Sequence, residues 1–258
     1  MKSRLALCLA LTPLLACTPL PSGSDAGDAG DQEIILRASG TASVLPLAAS
    51  FLADAGLANP GVAGLELRIE EPLKVALSDP LGVFGSVTLD AQGAFSVPNI
   101  ASELVNLGVA AGIRDNSADG GSSARIVRSA TVLYDVALEG IKPQGDITNG
   151  KAYAIPTAFH DKLNAAIGTT AIQNITGPSG PSTLQGAGWV LGRVVDANGN
   201  PVSGVTLLAS PANYNAQFFY PTTDLASATT TGTSSNGLFV FVHTGGQVAT
   251  FRVTLSGR

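Results

Sequence analysis

His160 and His243 are the only two imidazoles in 258 residues, and the first is followed at once by an acid, Asp161. Such a pair could serve general base catalysis. In a helix, however, consecutive side chains diverge by about 100 degrees, so the two are not expected to orient each other. Two histidines exclude a three-histidine zinc site, and a two-histidine site needs a carboxylate that no spacing marks. No G-x-S-x-G elbow, H-E-x-x-H helix or phosphate-binding glycine loop occurs in the chain. Hydrolysis by two carboxylates that the fold brings together has no sequence spacing of its own and stays open as an alternative.

Two segments imitate calcium loops. Asp115, Ser117, Asp119 and Gly120 fall on positions 1, 3, 5 and 6 of an EF-hand pattern, but position 12 is Ile126, which has no carboxylate to give. "DANGNP" (196–201) has Pro201 where that pattern needs glycine. Both read as surface turns, and no metal or cofactor is expected. The most suggestive interaction feature is "NYNAQFFYP", in which Tyr214, Phe218, Phe219 and Tyr220 supply four of the chain's 14 aromatic residues. Exposed, these rings would stack on sugars or anchor a partner, and they are the candidate binding residues. Alternatively, alternate rings would fill a sandwich core, with the Tyr hydroxyls reaching the rim.

The chain's start carries an address. Lys2 and Arg4 precede an apolar run from Leu5 to Leu15, too short for a membrane span and suited to a secretory signal. Leu14, Leu15 and Ala16 before Cys17 resemble the bacterial lipobox. The resemblance implies a signal peptide over 1–16, cleavage before Cys17, and acylation of Cys17 as the membrane anchor; several buried acyl chains hold a protein where one holds it marginally. Thr18 in place of Asp implies the outer membrane of a Gram-negative envelope. Cys17 and Cys8 are the only cysteines. Cleavage removes Cys8 and acylation consumes Cys17, so neither a disulfide nor thiol chemistry is expected.

Cleavage also removes Lys2 and Arg4, leaving 12 Lys and Arg against 19 Asp and Glu, a net charge of −7. That balance argues against nucleic acid and against electrostatic adhesion to anionic lipid. Residues 17–32, running on from Cys17 through "TPLPSGSDAGDAGDQ", have almost nothing apolar to bury and read as a solvated tether.

From Glu33 the composition turns to Val, Thr, Gly, Ala and Leu, and charged residues make up only 13% of the chain. Short strands are favoured over long helices. "GWVLGRVVDANGNPVSGVTLLASP" alternates, turns and resumes, and "LFVFV" and "FRVTLSG" supply further strands. "ELVNLGVAAGIRDNSADGGSSARIVRSATVLYDVAL" reads as two strands joined by a polar loop. "IPTAFHDKLNAAIG" is the one persuasive helix, capped by Thr157, striped by Phe159, Leu163 and Ile167, and ended by Gly168.

Gly192, Val194, Asp196, Gly199, Pro201, Val202, Gly204 and Val205, followed by Thr233, Gly237, Phe239 and Phe241, form a pattern similar to the carboxypeptidase regulatory-like domains. The resemblance covers residues 186–258 and implies a small transthyretin-like antiparallel β-sandwich, with turn and core residues but no chemistry. A divergent earlier copy is expected, because "NPGVAGLELRIEEP" (59–72) lines up with "NPVSGVTLLASP" (200–211), and "GSVTLDAQGAFSVPNI" (85–100) with "GTSSNGLFVFVHT" (232–244). The expected architecture is mainly β: two small antiparallel β-sandwich domains in tandem, at 33–150 and 186–258, joined by a region at 151–185 with one short helix. The expected function is non-catalytic: a lipid-anchored envelope protein whose modules bind an envelope protein or glycan, adhere or act as spacers. A secreted hydrolase, or an accessory subunit of an envelope enzyme acting on peptide or polysaccharide, is the alternative.

Overall fold

The computed structural model describes residues 33–116, 124–243 and 252–256. The expected signal peptide, Cys17 and the tether lie outside the described residues, as do Ser117, Asp119 and Gly120 of the acidic loop. Residues 33–258 form one compact unit that is mainly β.

In chain order, β1 (Ile35–Val44) leads into α1 (Pro46–Asp54) and β2 (Glu66–Glu70). After α2 (Pro72–Ala76) come β3 (Val83–Thr88), β4 (Ala94–Ala101), β5 (Gly108–Arg114), β6 (Ile126–Val127) and β7 (Ser129–Asp135). Next are α3 (Val136–Glu139), β8 (Ile147–Pro156), α4 (Thr157–Ile167), α5 (Thr169–Thr176) and α6 (Leu184–Ala187). The last third holds β9 (Trp189–Arg193), β10 (Thr206–Ser210), β11 (Phe218–Pro221), β12 (Ala228–Thr229), β13 (Leu238–Val242) and β14 (Arg252–Ser256). They form four sheets, ordered β4-β1-β8-β6, β3-β2-β5-β7, β12-β11-β13-β9 and β10-β14. All pairs are antiparallel except β1 with β8, which run parallel and join the first sheet to the start of α4. β8 passes through the expected boundary at residue 150 without a break.

The two stretches aligned by sequence share their pairing register. Gly40 on β1 faces Phe95 on β4, and Gly192 on β9 faces Phe239 on β13. Ala38 faces Val97, and Val190 faces Phe241. The turn before each inner strand is tied alike: Ala42 N–H donates to Gly93 O at 2.7 Å, and Val194 N–H to Gly237 O at 2.8 Å. Gly93 and Gly237 have φ of 69° and 68°, a conformation only glycine adopts without strain. Gly64 N–H donates to Leu89 O, and Gly204 N–H to Thr233 O. Leu67 on β2 faces Ile113 on β5, and Leu207 on β10 faces Leu255 on β14. The same four-strand pairing therefore occurs twice, as β1, β2, β4 and β5 and again as β9, β10, β13 and β14.

Strand alternation explains the burial. On β13, Leu238, Val240 and Val242 enter the main core, while Phe241 enters a second, smaller core with Val205, Leu207, Phe218 and Tyr220. A strand buried on both faces reads as a continuous apolar run, as "LFVFV" does. The main core extends from β1, β2 and β5 through Phe159 and Leu163 of α4 and on to Phe219 and Leu225.

The helical content exceeds the expectation. Phe159, Leu163 and Ile167 form the buried stripe of α4, and Gly168 (φ 86°) ends it. Thr157 does not cap it; its hydroxyl donates to Ala124 O at 2.7 Å, tying the helix start to the strand-side loop. α5 follows directly, and α1 lies between β1 and β2. No helix among the described residues is long and apolar enough to cross a membrane.

Candidate functional site

A cleft of about 740 Å³ opens between α1, α4 and the turn that follows β11. α1 starts at Pro46, where the missing N–H costs nothing, and it buries Ala48 and Leu52 on one face. Leu47, Ser50, Phe51 and Asp54 consequently line the cleft. Phe51 meets Phe159 of α4 edge-on, with ring centroids 5.8 Å apart, and these rings form an apolar wall.

The facing lip is a turn held by side chains. Thr222 N–H donates to Ser227 O at 2.9 Å, and Ala226 N–H donates to Asp224 Oδ1 at 3.1 Å. Thr222 Oγ1 lies 2.7 Å from Asp224 Oδ1. The bonds from the Thr222 hydroxyl and Ala226 N–H, aided by the charge of Lys162, hold the Asp224 carboxyl below its ordinary range against a smaller opposing effect of desolvation. Buried Asn236 anchors the lip from beneath, donating to Thr222 O at 3.2 Å and accepting from Leu238 N–H at 2.9 Å. The cleft thus offers apolar surface with two carboxylates, Asp54 and Asp224, beside the neutral polar Ser50, Thr223 and Asn236. Its one serine, Ser50, donates to Pro46 O within its own helix, and no histidine lines the space. Such a lining suits recognition of an apolar group bearing positive charge or hydroxyls.

The aromatic segment lies elsewhere. Phe218, Phe219 and Tyr220 are buried and Tyr214 is half-buried. Phe218 and Tyr220 point into the smaller core and Phe219 into the main one, so of the two roles open to these rings the described positions are those of core. Tyr214 packs edge-on against Phe241 at 6.3 Å.

The His160–Asp161 pair departs from expectation: His160 Nδ1 lies 3.2 Å from Asp161 Oδ1, because the exposed Asp side chain reaches back along the helix. The ring is buried against Trp189, with centroids 5.4 Å apart. It belongs to the packing under α4 and does not line the cleft.

Four arginines on or beside β2, β5 and β6 are matched by acids. Glu66 bonds Arg68 and Arg114, Asp115 bonds Arg125, and Glu70 meets Arg128. Burial would raise the Glu66 carboxyl, but hydrogen bonds from Arg68, Asn116 and Arg114 outweigh it and lower the pKa to about 2. Asp115 is therefore engaged as an ion-pair partner, whichever ligands the loop beyond it offers. Asp196 of "DANGNP" accepts from Asn198 N–H at 2.8 Å and Asn200 N–H at 2.9 Å, the local bonding of an Asx-type turn.

The sequence marks one wall of the cleft and not the other. Pro46, the i, i+4 pairs Leu47–Phe51 and Ala48–Leu52, and Gly56 together mark α1, but nothing local marks the turn of residues 222–227 as its opposite lip. No family model, curated protein or solved structure matches the chain.

Proposed function

We propose that this chain is a non-catalytic, lipid-anchored protein of a bacterial cell envelope, most plainly of the outer membrane, which binds an envelope protein or glycan through the cleft beside α1. The two copies of the four-strand pairing would be two small β-sandwich modules of the carboxypeptidase regulatory-like kind, sharing the core around α4. Cys17 would anchor the chain and the acidic tether would hold the modules away from the bilayer. The observation that carries the reading is the repeated register, Gly40 to Phe95 and Gly192 to Phe239. A duplicated β scaffold with a cleft of apolar side chains, two carboxylates and neutral polar groups supports holding a ligand over transforming one.

The test is crosslinking and capture from the native envelope, with the parent chain beside Asp54→Asn and Asp224→Asn together. Both changes keep the side-chain shape and remove charge; loss of the Asp224 carboxylate, whose pKa the fold depresses, should lower the melting temperature modestly with the fold retained, and capture is compared on folded protein. Capture of the partner should fall by roughly ten-fold or more, the effect of losing about 1.4 kcal/mol of binding. Undiminished capture removes the cleft from the reading. Turnover of a peptide, ester or glycoside substrate by the purified chain replaces it with the hydrolase alternative.

A further inference from the structure

The repeat also shows a difference between the two copies at β14. In the first copy β5 sits between β2 and β7, and its apolar side chains Ala111 and Ile113 are fully buried. The register makes Val253 and Leu255 of β14 their counterparts, since Leu67 faces Ile113 and Leu207 faces Leu255. Yet Val253 is 40% and Leu255 63% exposed, and among the described residues β14 pairs with β10 alone. Among the described residues, two apolar side chains thus stand exposed at positions that are buried in the first copy, on a strand whose outer edge is unpaired.

The other edge of this two-stranded sheet is closed. The N–H groups of Val205, Leu207 and Ala209 are taken by Thr233 Oγ1, Tyr220 OH and Asn215 Oδ1 at 3.0, 2.7 and 2.6 Å. The alternate residues of β10, Thr206, Leu208 and Ser210, therefore turn their backbone groups toward β14. Antiparallel pairing then fixes the outer edge: residues 252, 254 and 256 bond inward, and the N–H and C=O groups of Val253 and Leu255 point out.

We propose that this edge pairs with β14 of a second copy of the chain, antiparallel and about a two-fold axis through Thr254. The strand is self-complementary in this register. Val253 falls opposite Leu255 of the other copy, and each pair exchanges two backbone hydrogen bonds. The apolar side chains form one continuous strip, and residue 252 lies opposite residue 256, so no two charged positions meet. The second strand takes the place against β14 that β7 holds against β5, with the same antiparallel sense. The inference does not depend on the ligand of the cleft or on the lipid anchor.

Thr254 would be a non-hydrogen-bonded pair on the axis, with Cα atoms about 4.5 Å apart, within reach of a disulfide. The experiment uses the full chain in detergent, comparing the parent with Thr254→Cys and, as a control one strand inward, Leu208→Cys. The parent should sediment as a dimer. Mild oxidation should give a covalent dimer for Thr254→Cys and none for Leu208→Cys or the parent, and adding Leu255→Lys at the exposed edge should restore monomers. A monomeric parent, a Thr254→Cys chain that forms no dimer, a crosslink to some other envelope protein, or equal crosslinking at Leu208→Cys would each overturn the proposal.

Discussion

The phenol oxygen of Tyr220 accepts a hydrogen bond from Leu207 N–H at 2.7 Å, inside the smaller core. The bond does the work that a strand does in the first copy, where β2 turns the matching edge toward β3. Tyr220→Phe leaves a buried N–H without a partner and should cost about 1–3 kcal/mol of stability with the fold retained. Phe219→Ala, which empties a site in the main core, should cost about 3–5 kcal/mol. Urea denaturation of both variants checks the order.

The same phenol gives an alkaline signature. Burial raises the Tyr220 pKa above its ordinary 10.0, against the opposing bond from Leu207. The unfolded chain ionises this group first, so its contribution is complete below pH 10 and is lost as pH rises through the folded value. Melting temperature against pH should fall less steeply above pH 10 for Tyr220→Phe than for the parent.

Glu66 has the opposite dependence. With its folded pKa lowered from 4.5 to about 2, its ion pairs with Arg68 and Arg114 contribute above pH 4.5, and the contribution drains away as pH falls toward 2. Glu66→Gln should be less stable than the parent at neutral pH, and the gap should close across that window in acid melts.

Gly237 tests the repeat itself. At φ 68° a Cβ is strained and would press on Val194 O at 2.5 Å, the carbonyl of the residue whose N–H the Gly237 carbonyl accepts. Gly237→Ala should cost about 1–3 kcal/mol, and Gly93→Ala, its counterpart against Ala42 O, a similar amount. A large loss at one position with none at the other in thermal melts would separate the two copies.

Signals written along a strand or at a turn were readable: the glycines at 93 and 237, the alternation of β10 and β13, and the Phe159, Leu163 and Ile167 stripe all act locally. The roles of Tyr220, Asn215 and Thr233 in closing the β10 edge were not readable, because each reaches its amide across sequence gaps of 13, 6 and 28 residues. The cleft was hidden for the same reason. Its walls come from α1 and from a turn some 170 residues later, and only the fold brings Asp54 and Asp224 to one space.

The central claim, a chain held in the envelope by a lipid on Cys17, is most directly tested by metabolic labelling with a radioactive fatty acid. The parent chain should carry label and fractionate with membranes, and Cys17→Ser should lose the label and either stay unprocessed or leave the membrane fraction. Label that survives in Cys17→Ser, or membrane retention of an unlabelled parent, would contradict the account.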